Sequence, residues 1–445
     1  MQTEEPILVT TPTEEKGGTA FDAIVLGAGI SGLVAASTLI EDGAKSVLVV
    51  DEYDHVGGNH IDRAIGDFTF DVGSFIFQDD SPLVAHFPEL LAKYVEVEPS
   101  WSRLNPQGVI TAYPISIKDD ILAAGPLEWV RISLSLASAR LFKRRLGSAR
   151  DFAEFWIGPR LLRRSGLETY MARFYGVPVE EIDLRFAEKR MLWLSENASL
   201  RRVAAGFGRR SAHGPRNKQL VRPKAGFAEL YQPVVERLQA RGAAFMLGAP
   251  LERLSKGEDA TFRLCVGGRR FTADRVVSTV PIDAAQRLCG LSSAPLRSVT
   301  LLTLFFSFSG ERGFASTILY NFSDRGAWKR ITVYSDFYGR SGDREYFAVE
   351  ANADLVQSSH DVAERDFREH AAAHGLFAGD LRLEGGHLLA NAYPVYTEGA
   401  ADRAERMRAA LRGFGVESFG RQGGFEYQPT ARVSTLEAEA ALRGG

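Results

Sequence analysis

The chain has 445 residues, 45% of them apolar, which at roughly 100–200 residues per domain allows two or three domains with sizeable cores and excludes disorder of the whole. With 53 Lys+Arg against 56 Asp+Glu the net charge is −3, which gives no overall attraction to nucleic acid. Two cysteines, Cys265 and Cys289, are too few for a disulfide framework, form no CxxC and have no histidines at metal-ligand spacing, so a reducing compartment and no metal are expected.

Residues 1–20 are polar and acidic, lack the basic-then-apolar order of a secretory leader, and are expected to form a disordered tail. No window reaches 18 uninterrupted apolar residues, so a cytoplasmic protein without a transmembrane segment is expected. Phe21–Leu26 reads as a buried strand, Gly27-Ala28-Gly29-Ile30-Ser31-Gly32 as a tight turn into a helix ending near Glu41, and Lys45–Val50 as a second buried strand. In this strand–turn–helix setting the glycines let backbone approach a pyrophosphate and pack the helix on the sheet, with the N-termini of Ile30 and Ser31 facing the negative charge. Asp51 lies 19 residues past Gly32, where a carboxylate accepts ribose hydroxyls. Glu52 is the neighbouring candidate, although strand alternation is expected to turn it to the opposite face. The next turn, His55-Val56-Gly57-Gly58-Asn59, has paired glycines that let the chain pass a ligand at close range.

From about Ser81 to Arg210 the periodicity is helical. Between Arg140 and Lys224 there are 20 Lys+Arg against 8 Asp+Glu, a local +12 that fits either a solvated helical face or a surface meeting an anion. Residues 121–146, apolar and then Lys143-Arg144-Arg145, are expected to be a buried helix with a basic end, a peripheral membrane contact being the alternative. A helix over Val234–Arg241 and strands near Ala244–Leu247, Phe262–Val266 and Arg275–Thr279 return the chain to α/β character. Val299–Phe308, Thr317–Asn321, Arg330–Phe337 and Tyr346–Ala351 alternate as strands of another sheet, and the chain closes in a helix from Thr435.

The run VLVVDEYDHVGGN after GAGISGL resembles the FAD-dependent amine oxidase, protoporphyrinogen oxidase and UDP-galactopyranose mutase superfamily, with HVGGN in the form of the mutase-like branch. The C-terminal Gly420-Arg421-Gln422-Gly423-Gly424-Phe425-Glu426-Tyr427 is similar to the superfamily segment that closes over the ribityl chain and pyrophosphate, and Asp274–Pro281 to its central return, where Val280 meets the adenosine. The resemblance implies FAD, held non-covalently, with Gly57, Gly58 and Asn59 near its phosphates and ribityl chain and Gly420, Arg421, Gly423 and Tyr427 on its far side. It also implies an α/β fold: a glutathione-reductase-like FAD-binding Rossmann domain (21–80, 216–290 and 405–445) interleaved with an α+β substrate domain. The latter would comprise a helical cap over 81–215 and an antiparallel sheet over 291–404.

Gly206-Phe-Gly208 has neither a preceding strand nor a third glycine, so no second dinucleotide site is expected and the organic substrate itself becomes the hydride source. The expected activity is that of an FAD-dependent oxidoreductase moving a hydride from a small organic substrate, anionic or neutral, to flavin N5. The alternative is a mutase-like, non-redox flavoenzyme acting on a nucleotide sugar. Against it, Phe75 stands where the mutases carry a histidine over the flavin, and Lys218 where they carry a diphosphate-binding arginine. The lysine of amine oxidases is also missing, Thr300 being the approximate match. Candidate catalytic residues are Arg330, which could face inward and hold a carboxylate or phosphate, Tyr393, which could orient substrate, and His60, a base close to the GGN turn. Lys329 is expected at the surface.

Overall fold

The computed structural model describes residues 7–8, 19–143, 145–190 and 217–444. The sequence expectations for Gly206–Gly208 and for the helical pattern beyond 190 fall outside these residues, as does most of the N-terminal tail. Within the tail, however, Ile7–Leu8 (β1) pairs with residues 246–247, and Thr19 and Ala20 already belong to the next strand.

Three separated stretches of chain build one sheet. Its parallel centre runs β11 (Ala243–Leu247), β3 (Val47–Asp51), β2 (Thr19–Leu26), β14 (Arg269–Ser278) and, beside the last, β20 (Val416–Ser418). β12 (Leu251–Lys256) and β13 (Phe262–Val266) extend it as an antiparallel meander. The centre is buried on both sides, which is why Val47–Val50 is a continuous apolar run. Val47 and Val49 face α1 (Ile30–Glu41), α7 (Phe227–Ala240) and α11 (Ala431–Arg443), whereas Leu48 and Val50 face α8 (Ile282–Leu288) and α10 (Ala400–Phe414).

A second sheet has the order β19 (Phe377–Pro394), β15 (Ser298–Arg312), β18 (Glu345–Asn352), β17 (Trp328–Val333), β16 (Ile318–Asn321), β8 (Trp101–Leu104) and β9 (Ile110–Ala112). Only the β16–β8 pair is parallel. α9 (His360–Ala373) packs on one side of it through Ala363, Phe367 and Ala371. A helical layer of α2 (Pro126–Phe142), α3 (Ala149–Ile157), α4 (Pro159–Ser165), α5 (Leu167–Tyr175) and α6 (Leu184–Arg190) covers the other through Ile318, Tyr320 and Phe322. Two small sheets, β4 (Asp62–Ile65) with β5 (Phe68–Asp71) and β6 (Phe77–Gln78) with β10 (Gln219–Val221) and β7 (Val95–Val97), join the parts.

Several expectations are corrected. The 81–215 stretch is not helical from its start, because Val95–Val97, Trp101–Leu104 and Ile110–Ala112 are strands. The Arg330 strand ends at Val333 and turns into a short helix at Ser335. Lys218 sits in an exposed ion pair with Glu96 at 2.7 Å and lines neither of the two cavities described below. α2 is not a buried helix: of its residues only Ile132 and Ala139 are buried. Apolar side chains occur all around it, so periodicity alone could not tell an inner face from an outer one.

Candidate functional site

The parallel strands end at a cavity of about 470 Å³, at the carboxyl edge where open α/β sheets bind ligands. Its floor is the Gly27–Ser31 turn. Gly27 N–H donates to Val50 O at 2.7 Å, and Gly57 N–H donates to Ala28 O at 2.8 Å, so the two glycine motifs, separate in sequence, are stitched together. Gly58 approaches Gly29 so closely that a Cβ on it would lie 3.0 Å from the Gly29 Cα, and its φ of +61° suits glycine. α1 begins at Gly29 with no side-chain cap and no acidic residue in its first turn, leaving its N–H groups open to an anion.

Gly27, Gly29, Ile30, Ser31, Asp51, Glu52, Gly57, Gly58, Asn59 and Val280 all line this cavity. Gly32, Gly420 and Gly423 do not. Gly32 packs α1 against the turn, Gly420 lies against Ser31, and Gly423 lies against Ser278 and Thr279, so their smallness serves the backbone rather than a ligand. Asp51 is occupied: Oδ2 accepts from Ala28 N–H at 2.6 Å and Oδ1 from Tyr53 N–H at 2.9 Å. Burial pushes its carboxyl above the ordinary carboxylate range against the pull of those two donors. Glu52 shares the cavity rather than facing away, because β3 ends at Asp51 and strand alternation stops there.

Arg421 lines this cavity and also a second one of about 180 Å³, bounded by Phe75, Tyr113, Tyr170, Phe174, Tyr320 and Arg330 with Tyr393 and Tyr427. Burial lowers the Arg421 pKa from its ordinary value, and no carboxylate among the described residues forms an ion pair with it. A desolvated guanidinium without a counter-ion, lying where the two cavities meet, calls for an anionic ligand. The start of α11 supplies Ala431 to both cavities.

In the second cavity Arg330 is held by Glu350, which accepts from its Nε at 2.7 Å and from its Nη2. Nη1 has no hydrogen-bond partner among the described residues. Lys329 is not at the surface: it is 1% exposed, pairs with the other Glu350 oxygen at 3.1 Å, and lies 4.3 Å and 4.6 Å from the ring centroids of Phe174 and Tyr393. Paired charge and aromatic faces make that burial tolerable. Tyr113 stacks on Tyr320 at 4.1 Å. Thr300 and His387 line neither cavity.

His60 touches both cavities but is unsuited to act as a base. It packs among Phe75, Phe77, Phe227 and Tyr231, and its Nδ1 is 2.5 Å from the Tyr231 hydroxyl. Burial pushes its pKa down to about 3, the charges of Arg421 and His55 adding to the effect. A histidine buried neutral stabilises most fully above its unfolded value of about 6.5, and that stability is lost as pH falls toward the folded value. His60→Gln is therefore expected to lose less thermal stability than the wild type between about pH 7 and about pH 5. Melting curves at the two pH values check this.

Four participants escaped the sequence reading. Thr279 Oγ1 donates to Leu26 O at 3.1 Å beside Gly27, and Asn391, with a φ of +53°, lines the first cavity and accepts at its carbonyl from Gln422 Nε2. Tyr113 and Tyr170 come from the segment read only as helical. Asn in a left-handed conformation is a recognisable signal, but only once the backbone is known.

A parallel sheet with a glycine-floored slot at its carboxyl edge, next to a separate aromatic cavity, is the arrangement of a dinucleotide-dependent enzyme. Within that class, the chain belongs to the flavin-containing amine oxidoreductase family, whose profile matches residues 30–311. It is an FAD-dependent oxidoreductase, and the unpaired Arg421, the cradle of Gly29 and Gly58 and the uncapped α1 fit that cofactor. Prolycopene isomerase, chloroplastic, from Daucus carota is 52% identical over 56 residues, which span 13% of this chain and 9% of that protein. Over nearly the whole length the fold is similar to reduced UDP-galactopyranose mutase, with a TM-score of 0.76, 17% identity, and 95% and 94% of the two chains covered. It is also similar to a candidate protoporphyrinogen oxidase from Exiguobacterium sp. 255-15 (TM-score 0.69, 16% identity, 96% and 98% covered). Putrescine oxidase bound to putrescine matches at a TM-score of 0.56 with 15% identity, covering 95% and 98%. Among the described residues no helix is long and apolar enough to cross a membrane.

Proposed function

We propose that FAD lies along the larger cavity and that a small organic anion, anchored by Arg330, is oxidised in the smaller one. Its pyrophosphate would rest on Gly27, Gly29, Ile30 and Ser31 at the start of α1 and on Gly57, Gly58 and Asn59. Glu52 takes the ribose hydroxyls in this reading, because Asp51 is already engaged in holding the turn, and Val280 borders the adenosine. Arg421 and Tyr427 stand toward the ring. The bound cofactor supplies a two-electron acceptor for a hydride. The chain's own residues do the rest: Arg330 Nη1 binds the anionic group, Glu350 fixes the guanidinium plane, and the tyrosines and Phe174 exclude water. Arg421 opposes negative charge as it develops beside it.

The observation that carries this reading is the free edge of Arg330, presented to an aromatic chamber that shares Arg421 with the dinucleotide slot. In flavin-loaded protein, inorganic pyrophosphate and succinate serve as probes, and at least one is expected to perturb the flavin absorbance. Arg330→Met should weaken that response at least tenfold, since a hydrogen bond to a charged group contributes about 1.5–3 kcal/mol, while flavin content stays unchanged. A response equal in wild type and Arg330→Met would refute the anchoring role.

The stacked Tyr113 and Tyr320 beside Arg330 favour one second use of the same chamber, a base and diphosphate held together, as in a nucleotide sugar. Anaerobic rearrangement of a UDP-sugar on reduced enzyme, with no electron acceptor consumed, would favour that use over oxidation.

A further inference from the structure

α2 presents an apolar stripe to solvent. Leu127, Val130, Leu134 and Leu141 recur at helical spacing on one face, Phe142 follows at the end, and all five are between 56% and 78% exposed. Leu122, just before the helix, is also exposed. The helix cannot roll to hide this face. Its opposite side is seated by Ile132 in the cluster that holds Phe152 and Leu161, and Arg160 grips Glu128 with two hydrogen bonds.

The segment that carries the stripe has an excess of positive charge. Residues 122–166 contain nine Lys+Arg against three Asp+Glu, a net of +6. All three acids are already paired: Glu128 with Arg160 and Arg131, Asp151 with Lys143, and Glu154 with Lys143 and Arg150. Arg145 and Arg163 remain exposed with no ion pair among the described residues. The helix is about 25 Å long and carries Glu128, Arg131 and Arg140, so it is too short and too charged to span a bilayer, but suited to lie in its surface with leucines among the acyl chains and arginines among the headgroups.

We infer that α2 and the basic residues around it dock the enzyme on an anionic lipid surface. The excess positive charge selects this occupant over a neutral bilayer. The helical layer that carries α2 also encloses a small apolar cavity of about 50 Å³, which shares Tyr113, Tyr170 and Phe174 with the substrate chamber. Docking would therefore put the apolar side of the site in the part of the molecule nearest the lipid.

The test is sedimentation of the full chain with vesicles of phosphatidylcholine alone or mixed with phosphatidylglycerol. The wild type is expected to pellet with the mixed vesicles and to be partly released by salt. Leu134→Glu/Leu141→Glu should cut the bound fraction at least about tenfold with flavin content intact, because both positions face water. Arg145→Ala/Arg163→Ala should weaken binding to mixed vesicles only. The inference fails if the wild type stays in the supernatant with both compositions, or if the double glutamate variant binds as well as the wild type. It fails equally if light scattering finds a wild-type dimer that the glutamates dissociate without any vesicle binding, for then the face mates with a second copy. None of these outcomes depends on how the flavin site is used.

Discussion

One methyl group at residue 32 is expected to cost the protein about 1–3 kcal/mol of stability and most of its flavin. A Cβ on Gly32 would stand 1.9 Å from Gly27 O and 2.9 Å from Gly27 C, far inside contact distance and against backbone that cannot rotate away. α1 would have to lift from the turn it is built on, spoiling the geometry of the N–H groups that face the slot. Gly29 is the informative contrast. Its φ of −72° suits any residue, and a Cβ there meets nothing nearer than Gly58 Cα at 3.6 Å. Gly29→Val should therefore fold normally and purify without flavin, its side chain occupying the place proposed for the pyrophosphate. Denaturant unfolding and the flavin absorbance of purified variants separate the two effects. Gly32→Ala with wild-type stability and full colour would mean that the turn yields more easily than its contacts indicate.

Glu350 should prove as costly to lose. It is 1% exposed and is the one carboxylate shared by two cations, Arg330 and Lys329, so Glu350→Gln raises the excess positive charge of the cluster from one to two and is expected to destabilise by about 3–5 kcal/mol. Lys329→Met/Glu350→Gln should recover part of that loss, which a purely steric role for Glu350 would not allow. Burial raises the Glu350 pKa, but Arg330 and Lys329 outweigh it and hold the carboxyl below its ordinary value. The stabilisation is thus complete above the unfolded glutamate value of about 4.3 and is lost as pH falls through the lower folded value. The gap between wild type and Glu350→Gln should be widest near neutrality and shrink in acid, as unfolding free energies across that range will show.

The glycine-floored slot was more legible in the sequence than the aromatic cavity, for a physical reason. Backbone that must turn tightly and come close to other backbone is glycine, so Gly27, Gly29, Gly57 and Gly58 stand out by identity and spacing. The chamber is made of side chains brought together by tertiary packing. Tyr113, Tyr170, Tyr320 and Tyr393 lie on four unrelated segments with nothing in the local pattern to connect them. Lys329 shows how far tertiary context overrides propensity: it was read as exposed because lysines usually are, and only the position of Glu350 across the sheet explains its burial. Phe377–Pro394 went unread as a strand because Gly385-Gly386 interrupts it and much of one face is exposed, leaving no clean alternation. Glu52 was misplaced by one residue of strand length.

The last strand of the nucleotide-binding sheet, β20, pairs with β14, which itself pairs with β2, so the sheet closes only after some of the most distant parts of the sequence have met. Arg421 follows β20 directly. During synthesis the Gly27 turn therefore emerges long before the Arg421 guanidinium, and the nascent chain must keep a bare, half-assembled edge shielded while about 390 intervening residues are translated. Flavin capture is then a late event, and cells short of riboflavin should accumulate this protein in a protease-sensitive state rather than as a stable, colourless enzyme.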